Sequence, residues 1–88
     1  MGNTSVVQPP KARVFVKDGA RHNIQMKQTG NTLPRPARII IMKEYWDATG
    51  DWEGWDWTKI YDRTFNNWDY ANAVYDEILS RADEEEIK

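Results

Sequence analysis

The sequence predicts an α+β domain: a four-stranded antiparallel sheet in the order β-β-β-β-α, with one C-terminal helix packed on one face. Three observations predict it. Residues 11–17 alternate in polarity and end on Asp18-Gly19, a dipeptide that closes a hairpin because Gly accepts positive φ without steric cost. Residues 37–46 and 55–65 are rich in β-branched and aromatic side chains, the composition of strands. Ala71, Val74, Tyr75, Ile78, Leu79 and Ala82 then recur at helical spacing and form one apolar stripe.

In chain order, residues 1–10 are polar, end in Pro9-Pro10 and read as a flexible arm. The single domain spans 11–82, and 83–88 form an acidic tail. In the first strand Ala12, Val14 and Val16 point one way, toward the expected core. Lys11, Arg13, Phe15 and Lys17 point the other, giving a basic outer face. Residues 23–28 make the second strand, with Ile24 and Met26 on one face, and His22 is expected in the solvated turn before it. Thr29 to Pro36 is punctuated by Gly30-Asn31, Pro34 and Pro36, which cannot continue a sheet ladder. The third strand, about Ala37 to Trp46, is apolar on both faces at Ile39-Ile40-Ile41 and is read as central. Asp47 to Gly54 is a turn. In the fourth strand, unbroken alternation would place Trp55, Trp57, Tyr61 and Phe65 together, opposite Asp56, Thr58, Asp62 and Thr64. Asn66 or Asn67 can cap the helix, with Asp69 in its first turn. Asp83-Glu84-Glu85-Glu86 oppose the macrodipole, so the helix end is expected to fray.

At 88 residues the chain has a thin core, and without cysteine no disulfide staples it. Five Trp, four Tyr and two Phe supply the large side chains such a core needs. A homodimer, through strand edges or the aromatic face, would add buried area and is expected. No apolar run approaches the roughly 20 residues that span a bilayer, and the N-terminal stretch lacks a secretory pattern. The expectation is a cytoplasmic protein, in the host cytoplasm if it is viral.

The charge is divided. Residues 1–43 carry eight Lys or Arg against one acid, Asp18; residues 44–88 carry four against thirteen acids. Either the halves attract each other or one of them steers a charged partner.

Motifs for catalysis are missing: no phosphate loop, no nucleophile elbow and no His-Glu-x-x-His occurs. His22 is the only side chain with an unperturbed pKa near neutrality. The acidic turn lacks the ligand spacing of a calcium loop. The reading is therefore no enzyme, no catalytic residue, no metal and no cofactor.

Two surfaces remain as candidates. Tyr45, Trp46, Asp47, Asp51, Trp52, Glu53, Trp55 and Asp56 interleave rings with carboxylates around the turn after the third strand. Trp46 and one of Trp55 and Trp57 are expected in the core, and Trp52 at the exposed tip. Rings beside carboxylates suit a cationic partner, such as the basic surface of a larger protein. Lys11, Arg13, Lys17, Arg21 and Lys27 line the first hairpin and are the alternative, a single-stranded nucleic-acid site with Phe15 or Tyr45 for stacking.

The β-β-β-β-α order and the segment Lys43-Glu44-Tyr45-Trp46 resemble single-strand-binding domains of the positive-cofactor-four type over about the last half of the chain. That resemblance implies single-strand binding, although strand four and the helix here are acidic where the family is basic. The overall profile is similar to that of small bacteriophage accessory proteins. The leading expectation is a non-enzymatic protein-interaction module, a phage-type modulator or inhibitor of a larger host protein, working through the aromatic and acidic surface. Nucleic acid is the second choice, and no membrane is involved.

Overall fold

A computed structural model describes residues 8–30, 34–51 and 53–87, with side chains as far as Ala82. Strands β1 (Lys11–Lys17), β2 (Ala20–Gln28), β3 (Ala37–Asp47) and β4 (Gly54–Phe65) precede helix α1 (Trp68–Ile87). The sheet is antiparallel with order β1-β2-β3-β4, and α1 lies across one face of it, touching every strand. This is the predicted α+β architecture. Most of the predicted N-terminal arm, residues 1–7, lies outside the described residues. From Gln8 the chain is tied down, because the Gln8 amide donates to Gln28 Oε1 at 2.8 Å.

Asp18 and Gly19 both have positive φ, 55° and 77°, and Lys17 pairs with Ala20. This two-residue turn matches the right-handed twist of its strands. Because it is so short, β2 begins at Ala20, three residues earlier than the alternation predicted. His22 is consequently a strand residue opposite Phe15 rather than a solvated turn residue. It is 6% exposed and stacks on the Phe15 ring at 5.0 Å. Its Nδ1 lies 2.9 Å from the Ala20 carbonyl, which can only accept, so Nδ1 carries the hydrogen in that contact.

Ile24, Met26, Ala37 and Ile39 are fully buried beneath Ala71, Tyr75, Leu79 and Ala82, so the predicted stripe of α1 faces the sheet. Asn67 caps the helix: its Oδ1 accepts from the Tyr70 amide at 3.1 Å, satisfying a donor of the first turn. The helix continues to Ile87, beyond the predicted end of the domain at Ala82.

Two face assignments are reversed. In β1 the core residue is Phe15, 7% exposed, whereas Val14 is 51% exposed. The larger ring takes the position over the core, which puts Lys11, Arg13 and Lys17 on the helix side with it. Lys11 lies along the helix, with Nζ 2.6 Å from Asn72 Oδ1 and 4.7 Å from the Tyr75 ring centre. The second reversal comes from a β-bulge. Ile41 pairs with Tyr61 but Met42 pairs with Lys59, leaving Ile60 as the extra residue. An extra residue changes the alternation, so Trp55 and Trp57 lie on the face opposite Tyr61 and Phe65.

The predicted core tryptophans are also revised. Trp46 is 51% and Trp55 61% exposed, and Trp57 is half-buried. Among the described residues, the indole in the core is that of Trp68, at the start of α1.

Candidate functional site: the uncovered sheet face and its arm

The side of the sheet away from α1 has no layer over it among the described residues. The register fixes what it presents, because residues directly opposite in antiparallel strands share a face. One row is Ala12, Gln25, Ile40 and Asp62, and the next is Val14, Asn23, Met42 and Lys59; beyond them the pairs Val16–Arg21 and Glu44–Trp57 continue the same face, joined by the Arg21–Glu44 ion pair. Trp46 and Trp55 pair beyond them. Past Lys43, β3 no longer pairs with β2, so 44–47 of β3 and 54–57 of β4 project as a two-stranded arm. The arm ends in a loop held by Asp47 Oδ1, which accepts from the Thr49 amide at 3.1 Å and its hydroxyl at 2.7 Å.

The pleat sorts the aromatic and acidic cluster. Trp46, Trp55 and Trp57 lie on the uncovered face. Tyr45, Asp47 and Asp56 lie on the opposite face of the arm. Trp46 and Trp55 meet edge to face at 5.5 Å. The Tyr45 hydroxyl is pushed up from its usual pKa, first by desolvation and then by the charges of Asp47 and Asp56. Rings and carboxylates that interleave in sequence are therefore largely separated in space. Asp51 and Glu53 are exposed in the loop, and Trp52, the predicted tip, lies outside the described residues.

The basic hairpin is divided as well. Arg21 and Lys27 are on the uncovered face, while Lys11, Arg13 and Lys17 are on the helix side. They do not form one outer surface. Arg38 and Lys59, which the hairpin pattern did not include, join Arg21 and Lys27 instead. Four cations thus share this face with two acids, Glu44 and Asp62. Arg21 Nε is 3.6 Å from Glu44, and Arg38 and Lys59 both reach Asp62.

The two charged halves of the chain meet within the molecule. Lys11–Asp76, Arg21–Glu44 and Arg38–Asp62 each join a residue before position 44 to one at or after it. The helix acids Asp69, Asp76 and Glu77 are exposed on the other layer.

Among the described residues no group of three or more metal-ligating side chains gathers, and no helix is long and apolar enough to cross a membrane. The sequence signal for the uncovered face was the Ile39-Ile40-Ile41 run, apolar on both sides, with Met42, Trp57 and Lys59 opposite one another only once the bulge is known. In comparisons with known proteins, no family model, curated sequence or solved structure matches the chain.

Proposed function

We propose that the chain is a non-enzymatic module that binds single-stranded nucleic acid on the uncovered face of its sheet. The observation that carries this reading is the union on one surface of Trp46, Trp55 and Trp57 with Arg21, Lys27, Arg38 and Lys59. Aromatic platforms inside a positive groove hold single strands, because every base has a π-face and every nucleotide a phosphate. The acidity of the second half argues against this in the sequence, and part of it lies away from this face in space. The helix carboxylates Asp69, Asp76 and Glu77 sit on the far layer of a molecule 17 Å through its thinnest dimension, and the Debye length is about 8 Å at physiological salt.

The test is a titration of oligo(dT) and oligo(U) followed by tryptophan fluorescence at low and moderate salt. The reading expects quenching and an affinity that falls as salt rises, because phosphate contacts release counterions. Trp57→Ala weakens binding about tenfold, within the roughly 1–3 kcal/mol of one stacked base. Absence of binding at low salt overturns the reading.

A second reading rests on the opposite side of the arm, where Tyr45 is 38% exposed beside Asp47 and Asp56. That surface suits a basic patch on a larger protein, as a phage-type modulator would use. Capture of one specific protein from host extract after nuclease treatment, lost in Tyr45→Ala with Asp56→Asn, supports it. Capture unchanged by those substitutions removes it.

A further inference from the structure

The uncovered face holds two adjoining depressions that meet at one side chain. The first, about 260 Å³, is bounded by Pro10, Ala12, Gln25, Lys27, Arg38 and Ile40. The second is bounded by Asn23, Gln25, Met42 and Trp57. Gln25 belongs to both. It lies in the second strand of four, directly between Ala12 and Ile40, so its amide stands over the seam. The first depression is lined by apolar groups of Pro10, Ala12 and Ile40 and, besides Lys11, whose ammonium is held at the helix, by two cations, Lys27 and Arg38; it is smaller than the roughly 300–1,000 Å³ of pockets for drug-sized ligands. That combination fits one flat heterocycle followed by a phosphate.

The Gln25 carboxamide is already oriented. One of its N–H groups donates to Asn23 Oδ1 at 2.8 Å. This leaves its oxygen as an acceptor and a second N–H as a donor, with Gln25 exposed on this face. Same-face residues of a strand are about 6.8 Å apart, two steps of about 3.4 Å, so successive rows can meet successive nucleotides of a stretched strand.

Resting on the single-strand reading above, we propose that the Pro10–Ala12–Ile40 depression is a base-specific subsite, that Gln25 is its specificity-determining residue, and that it takes adenine. A glutamine amide pairs at two points with the adjacent N7 acceptor and N6 amino group of adenine. Lys27 and Arg38 lie opposite each other in register and flank the subsite where the phosphates would pass. Trp57, two rows further along the face, stacks a base farther along the strand without regard to its identity.

The experiment compares oligo(dT) with the same strand carrying one adenine, for the wild type, Gln25→Ala and Trp57→Ala. The wild type is expected to bind the adenine-bearing strand roughly fivefold tighter, the lower end of what a two-point amide contact gives. Gln25→Ala removes that preference and keeps most of the affinity for oligo(dT). Trp57→Ala weakens both strands alike and keeps the preference. Wild-type binding that is equal for the two strands overturns the subsite alone, as does a preference that survives Gln25→Ala. Failure of the wild type to bind either strand at low salt overturns the subsite together with the reading beneath it. Gln25 is exposed, so its replacement leaves the core intact, and circular dichroism of the variant confirms the fold.

Discussion

Arg38 and Asp62 form a two-point ion pair diagonally across β3 and β4: Arg38 Nε donates to Asp62 Oδ1 at 2.7 Å and Nη2 to Oδ2 at 2.5 Å. Lys59 Nζ donates to the same Oδ2 at 2.8 Å. One carboxylate thus holds two of the four cations on the uncovered face. The Arg38 hydrogen bond, followed by that of Lys59, keeps the Asp62 carboxyl well below the ordinary carboxylate range. Asp62→Asn is expected to release both cations. Single-strand affinity rises and its salt dependence steepens, which titration at several salt concentrations measures.

The same carboxylate makes stability depend on pH. Its pKa in the folded protein is lower than in the unfolded chain, so the unfolded state binds more protons between the two values. The stability it contributes is present above about pH 4, the unfolded carboxyl value, and is lost as pH falls through the folded one. The stability difference between wild type and Asp62→Asn therefore narrows as pH drops from about 5 toward 2, as urea denaturation at stepped pH will show. A gap independent of pH would mean that the ion pair contributes nothing to folding.

His22 is structural. It is 6% exposed, stacked on Phe15 and bonded to the Ala20 carbonyl. His22→Ala removes a buried ring and leaves a cavity, at a cost of about 2 kcal/mol. Chemical denaturation measures the loss, and single-strand affinity of the folded fraction is expected to be unchanged because the ring faces the helix layer.

The element order was legible because it depends on local chemistry: Asp18-Gly19 can turn, Asn67 can cap, and the Ala71-to-Ala82 stripe has a helical period. The site was legible only as a list of residue types. Which face a strand residue occupies depends on a parity that one residue can reverse. In β4 the extra residue Ile60 does so, moving Trp55 and Trp57 away from Tyr61 and Phe65. In β1 the alternation offered two apolar sets, Ala12-Val14-Val16 or Phe15 alone. Counting favours the three small residues, but the one large ring wins, because covered area depends on size. No local signal shows that the sheet has a single helix layer, so burial of Trp46 was a reasonable expectation with no partner to fulfil it.

Lys11 was a candidate phosphate contact, and its position gives it a different role. Its ammonium lies over the Tyr75 ring, hydrogen-bonded to Asn72 and 4.0 Å from Asp76. It ties edge strand β1 to α1. Lys11→Met is expected to lower stability by about 1 kcal/mol, the size of one hydrogen bond or an exposed cation–π contact. The salt dependence of single-strand binding should remain that of the wild type. A slope reduced by roughly 0.7, the value of one phosphate contact on a single strand, would instead return Lys11 to the binding surface.

Trp46 and Trp55 pose the sharpest question about the arm, because each is at least half exposed and each touches the other. An edge-to-face pair contributes about 0.5–1.5 kcal/mol beyond its buried area, enough to matter in a hairpin that no helix covers among the described residues. The pair could clasp the arm, stack bases, or do both, and substitution by Ala alone confounds these roles. A double-mutant cycle with Trp46→Ala and Trp55→Ala gives the coupling energy from denaturation, expected at about 1 kcal/mol. Trp46→Phe and Trp55→Phe then keep a ring at each position. If the rings stack on bases, the Phe variants retain most of the single-strand affinity while the Ala variants lose about fivefold or more each, one stacked base apiece. If the pair only clasps the arm, affinity falls only where folding is lost, and an Ala variant that still folds binds as the wild type does.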